Sequence, residues 1–181
     1  MGSNPVLRTK FGSLTFYLYL CDMKILRTIV LVAVLVFAAI LWGTKDAPMI
    51  SQSAFALSPN NHWYVLMHLS IMLTFVLDAI FGRRIWGWVV VAASAGTLAF
   101  NMYDFPLTHN LFTAGIMASA VFNLIYYATP HTRVFAILNS VVGTTVFVLA
   151  LTTNGIHVFF AEVVAELAIG VGMARRIWIK K

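Results

Sequence analysis

The chain has 181 residues, of which 61% are hydrophobic and 10% charged, with a formal net charge of +6 and a mean hydropathy of +0.89. Soluble domains carry an apolar share nearer ~45–50%, so an ordinary water-soluble fold is excluded and an integral membrane protein is indicated. The apolar residues fall in continuous runs close to the ~20 residues a helix needs to cross a hydrocarbon core of about 30 Å. A β-barrel would show alternation instead, and the single Cys21 excludes an intramolecular disulfide framework.

Residues 1–22 form a mixed leader with one aromatic run, Phe16-Tyr17-Leu18-Tyr19-Leu20, too short to span; they read either as an interfacial N-terminal arm or as an upstream extension before Met23-Lys24-Ile25-Leu26-Arg27. The first span is expected over about residues 25–42. Ala54-Phe55-Ala56 resembles a signal-peptidase site, but fourteen residues separate Trp42 from Leu57. That is too long for a cleavage region, so an uncleaved anchor is the reading. The longest connection, residues 43–61, carries Pro48, Pro59, Asn60 and Asn61 as breakers, together with Lys45 and Asp46.

The remaining spans are expected at about 62–81, 85–103, 107–128, 134–151 and 156–174, separated by Gly82-Arg83-Arg84, Asp104-Phe105-Pro106, Thr129-Pro130 and Thr152-Thr153-Asn154-Gly155. The expected fold is therefore an all-α integral membrane protein, a single bundle of six transmembrane helices over residues 23–181. Six spans put both termini on one side. Arg8, Lys10, Lys24, Arg27, Arg83, Arg84, Arg133, Arg175, Arg176, Lys180 and Lys181 fall on that side and only Lys45 opposite. The positive-inside rule makes the terminus side cytoplasmic, which in a bacterium means the inner membrane. Trp42, Trp63, Tyr64, Trp86, Trp88, Tyr103, Tyr126, Tyr127 and Trp178 sit at span ends, as an interfacial aromatic belt requires. Basic clusters beside spans orient the protein and meet anionic headgroups, so the expected partners are membrane lipids, and a membrane-protein partner or a second copy, not nucleic acid.

Ionisable groups in hydrocarbon cost at least ~2.5 kcal/mol each on insertion scales and normally face a protein interior, water or a partner. The stretch 157–166 therefore stands out, since it sets His157, Glu162 and Glu166 in an apolar run. By helical rise, His62, Asp104, His109 and His157 lie near the outer face, His68 and Glu162 roughly 10 Å in, and Glu166 near the middle. His68, His109, His157, Glu162 and Glu166 are the candidates for an outer-half polar pocket. His109, His157 and Glu162 have the donor types of a zinc site with an open position for water. Such a site needs several helices, because His157 and Glu162 diverge by about 140° on their own helix. No resident cofactor is otherwise expected, and the three histidines His62, His109 and His157 read equally as interfacial rings.

Glu162 and Glu166 share a helix face at i and i+4, where like charges repel. They read as a proton relay, an ion site or a headgroup contact, or else as neutral carboxyls bonded to Asn or Ser of another span. Asp78, Asn123 and Asn139 form the cytoplasmic-side polar layer: Asp78 as a local ion pair with Arg83 or Arg84, the two asparagines as hydrogen-bonding glue between consecutive spans. Ala114, Gly115, Ala118 and Ser119, and Ala161, Ala165, Ala168 and Gly172, offer small-residue faces for close packing. There is no Gly-rich phosphate loop, Gly-x-Ser-x-Gly elbow or Cys-x-x-Cys.

Three places carry a family resemblance. Pro48-Met49-Ile50-Ser51 with the following Pro59, Phe105-Pro106-Leu107-Thr108-His109 at the head of the fourth span, and His157 with Glu162 or Glu166 in the sixth resemble the Frag1/DRAM/Sfk1 family of six-span membrane proteins. The resemblance implies a lipid-associated or scaffolding role, without a catalytic set. The alternatives are a metal-dependent intramembrane hydrolase acting on a lipid and an accessory subunit of a larger membrane complex. For the hydrolase, Ser70, Asp78 and the histidines offer the residue types of ceramidase-like enzymes but not their spacing.

Overall fold

A computed structural model of the protein describes residues 5–44, 53, 56, 58–59, 61–152 and 158–179, with side chains described except at 5–22, 42, 147, 150, 151 and 158. Among these residues there is no strand. The helices are α1 (Pro5–Thr44), α2 (Asn61–Gly82), α3 (Gly87–Ala99), α4 (Pro106–Tyr126), α5 (Pro130–Thr152) and α6 (Val158–Trp178).

The helix ends follow from local chemistry. Pro106 and Pro130 each open a helix, where their missing N–H has no helical partner to lose. Before α4, Asn101 Oδ1 accepts the backbone N–H groups of Tyr103 and Asp104, and its Nδ2 donates to Asp104 Oδ2 at 2.6 Å, closing a side-chain-capped turn. Before α5, Thr132 Oγ1 accepts the N–H of Thr129 at 2.9 Å. At the end of α2 the chain passes through a left-handed residue, Arg83 with φ 52°, and the N–H of Arg84 donates back to the Ala79 carbonyl at 3.1 Å. This six-to-one bond is the Schellman stop, here built on arginine in place of the usual glycine, and it turns Arg84 back toward α2.

Two elements differ from expectation. α1 continues upstream to Pro5, so the leader and the first span form one helix of 40 residues. α3 has 13 residues where about nineteen were expected. Its head is consumed by short-range turns, Gly87 N–H to Arg84 O, Trp88 N–H to Ile85 O and Val89 N–H to Trp86 O, and its tail by the Asn101 turn. By length and composition, Met23–Leu41 within α1 and Asn61–Gly82 are the two described helices able to cross a membrane, and α3 is apolar but shorter. At 1.5 Å per residue α3 is about 20 Å long, against a core of about 30 Å.

The helices pack in a ring, each against its neighbour in the chain, with α6 closing onto α1 and α4 also touching α6. Val34, Leu41, Met67, Phe75, Val90, Leu124, Phe159 and Met173 fill the shared interior. Close approach needs glycine at two points. A Cβ on Gly87 would sit 2.8 Å from the Phe75 carbonyl oxygen, and one on Gly96 only 2.3 Å from the Phe112 ring. The bundle is apolar outside as well: Ile29, Leu69, Leu73, Leu107, Leu111, Val134 and Val141 are all exposed. Apolar side chains exposed in this number accord with membrane association.

Candidate functional site

Two buried polar layers lie at different heights of the bundle. The first surrounds a half-open cavity of about 110 Å³. Its wall is mostly apolar, formed by Leu31 and Val34 of α1, Ile71 and Phe75 of α2, Ile116 and Met117 of α4, and Ile169 and Met173 of α6. Into it face His68, Tyr64, Glu162 and Glu166, so three of the five pocket residues expected from sequence come to one cavity from two helices. α2 and α6 are not chain neighbours, and the cavity is the space between them.

The hydroxyls of this wall are largely turned away from it. Thr74 donates to the Ser70 carbonyl at 2.8 Å, Thr97 to Ala93 at 3.1 Å and Thr113 to His109 at 3.0 Å, each within its own helix. Backbone-bonded threonines present methyl groups to their surroundings. The polar character of the cavity therefore rests on the two glutamates, His68, Tyr64 and Ser53. His68 is buried, its Nδ1 lies 3.3 Å from Ser94 Oγ, and its ring meets Tyr64 edge-on at 4.6 Å. The Tyr64 hydroxyl is buried beside Ser53 of the same wall.

His109 sits behind this wall rather than in it. It is 1% exposed, donates from Nδ1 to the Phe100 carbonyl at 2.7 Å, and holds Nε2 2.8 Å from Ser53 Oγ. A carbonyl only accepts, so Nδ1 carries a proton and Nε2 accepts from the serine in that tautomer. The imidazole thus ties the turn before α4 to the loop before α2, and both ring nitrogens are committed to protein. That differs from an interfacial ring or an open metal ligand. Among the described residues no group of three or more His, Cys, Asp or Glu comes together to hold a metal ion. His157 lies outside the described residues. His62 is exposed against Trp63, and His131 is exposed.

The second layer is built on Asp78, whose side chain is fully buried. Arg27 and Arg84 both donate to its Oδ1, Arg84 at 2.6 Å, and Arg176 donates to Oδ2 at 2.7 Å. The local pair expected with Arg84 is therefore one of three. Arg83, the other expected partner, is exposed because its left-handed backbone carries it outward. Arg27 and Arg176 were not foreseen, lying 51 and 98 residues from Asp78 in sequence. The signal for them was their shared side in the charge sorting.

Asn123, fully buried, accepts from Arg176 through both its side-chain oxygen and its carbonyl, each at 3.0 Å. Asn139 does not join it. Its Nδ2 donates to the Phe135 carbonyl of its own helix at 2.7 Å, so the expected asparagine pairing between consecutive spans is replaced by a link from Asn123 to α6. Nearby, Trp178 Nε1 donates to Thr28 Oγ1 at 3.0 Å, and Lys24 lies over the Trp178 ring, fastening the end of α6 to α1.

Compared with known proteins, the chain matches no family model, no curated protein and no solved structure.

Proposed function

We propose that the chain is a six-helix integral membrane protein of the Frag1/DRAM/Sfk1 kind, with cytoplasmic termini, that holds a membrane lipid in its outer-half cavity and acts in lipid organisation or as a scaffold. In a bacterium its place is the inner membrane. The observation that carries this reading is the cavity itself: an apolar, half-open space with Ser53, His68, Tyr64, Glu162 and Glu166 as its polar groups. Small-molecule binding sites have this make-up, a mostly apolar wall with a few convergent polar groups. The apolar exterior supports the membrane setting, as does the eleven-to-one sorting of Lys and Arg under six spans.

Lipid analysis of the purified chain tests it. The wild type retains a lipid through detergent exchange, and Thr113→Trp, which fills the cavity from α4, loses it while keeping the wild-type helical content. Absence of retained lipid in the wild type, or equal retention by the filled variant, refutes the proposal.

A further inference from the structure

Among the described residues, the arginine cluster around Asp78 carries more positive than negative charge. Three guanidiniums face one carboxylate, a local balance of +3 − 1 = +2, and all four side chains are at most 12% exposed. Unbalanced charge is normally excluded from such a place unless another group completes it. Donors exceed acceptors too. Arg176 Nε and Asn123 Nδ2 are buried with no hydrogen-bond partner among the described residues, and Arg27 and Arg84 each commit one nitrogen to Asp78.

The cluster is not sealed. The Arg27 and Arg84 side chains keep 12% and 11% of their surface open. Around that opening stand Lys24, the exposed Trp178, and Tyr127, whose ring lies beside the Arg84 guanidinium. Aromatic rings and basic side chains at the ends of apolar helices mark headgroup depth.

We propose that Arg27, Arg84 and Arg176, held in place by Asp78, form an anion site that takes a phosphate group, supplied in the membrane by the headgroup of an anionic phospholipid. Guanidinium forks suit it because they bind two phosphate oxygens at once, where ammonium groups act as point charges. Asp78 is the positioning residue: it holds the three forks together and leaves them their surplus charge. The site lies ten residues along α2 from His68, roughly 15 Å at helical rise, and is separate from the cavity. Its phosphate chemistry does not depend on the six-span reading; only the lipid source does.

The full chain in detergent is titrated with short-chain phosphatidic acid, with phosphatidylcholine of the same chain length and with inorganic phosphate, read by native mass spectrometry. Phosphatidic acid binds at least about tenfold more tightly than phosphatidylcholine, and Arg27→Gln and Arg84→Gln each weaken it about tenfold, the loss of one charge-assisted bond. Arg83→Gln, on an exposed side chain outside the cluster, leaves it unchanged. Inorganic phosphate that displaces the lipid supports the same site with a free anion as an alternative source. Equal binding of the two lipids with no binding of phosphate overturns the proposal in the wild type alone, without reliance on any variant folding. Unaltered binding by both glutamine variants overturns it as well.

Discussion

Asp78→Ala is the sharpest test of how the bundle is held. The substitution removes the carboxylate that joins α1, the end of α2 and α6 through Arg27, Arg84 and Arg176, and leaves Arg176 only its bonds to Asn123. Breaking a single buried ion pair typically destabilises by about 3–5 kcal/mol, because the abandoned charge stays desolvated. Here three charges are abandoned, but they share one partner and do not add independently. A loss of about 4–5 kcal/mol is expected, a large part of the ~5–15 kcal/mol that holds a typical protein folded. The assay is denaturant unfolding in detergent, followed by tryptophan fluorescence. Arg84→Gln should cost less than Asp78→Ala, since Asp78 keeps two partners. Asp78→Leu combined with Arg176→Met should recover part of the loss, because an apolar pair replaces a buried ionic one. A destabilisation under about 1 kcal/mol for Asp78→Ala would show that the cluster is not what fastens these helices.

Other substitutions probe the remaining contacts. His109→Ala removes two hydrogen bonds and a buried ring, and should lower unfolding stability by about 3 kcal/mol; an effect under about 1 kcal/mol removes its role as the tie between the two loops. Gly96→Leu places side-chain atoms where the Phe112 ring packs, and should cost about 1–3 kcal/mol in the same assay, whereas Arg83→Gly, at a left-handed position, should be neutral or stabilising. Metal analysis of purified protein should find no stoichiometric zinc; zinc that is lost on His109→Ala or His157→Ala would instead establish the metal-dependent alternative. Glu162→Gln with Glu166→Gln should leave the fold intact and change which lipids co-purify, and an unchanged lipid profile separates the two acids from ligand selection.

Helix identity was legible because breakers and apolar runs are local features. Pro106, Pro130 and the Gly82-Arg83 stop put helix ends within a few residues of where periodicity and turn chemistry place them. The length of α3 was not legible. Its flanks, Ile85-Trp86 and Phe100 to Tyr103, are as apolar or aromatic as its middle, and only hydrogen-bond geometry shows that they turn. The partner of Asp78 was half legible, since a sequence shows Arg84 six positions away but gives no distance to Arg176.

Composition by itself pointed to a membrane setting: a chain 61% hydrophobic and 10% charged has few polar side chains with which to cover an apolar core. It also marked the ionisable groups inside the apolar runs, Asp78, Glu162 and Glu166, as needing partners, because burying a charge without one is costly. The tertiary structure decided which partner. Only the ring of helices sets α6 against α1 and faces it across a gap to α2, and that arrangement carries Glu162 and Glu166 into a cavity with His68, sends His109 behind the wall, and gathers three distant arginines onto one aspartate. Such pairings depend on crossing and rotation of helices packed many residues apart in sequence, which no periodicity within a single helix records.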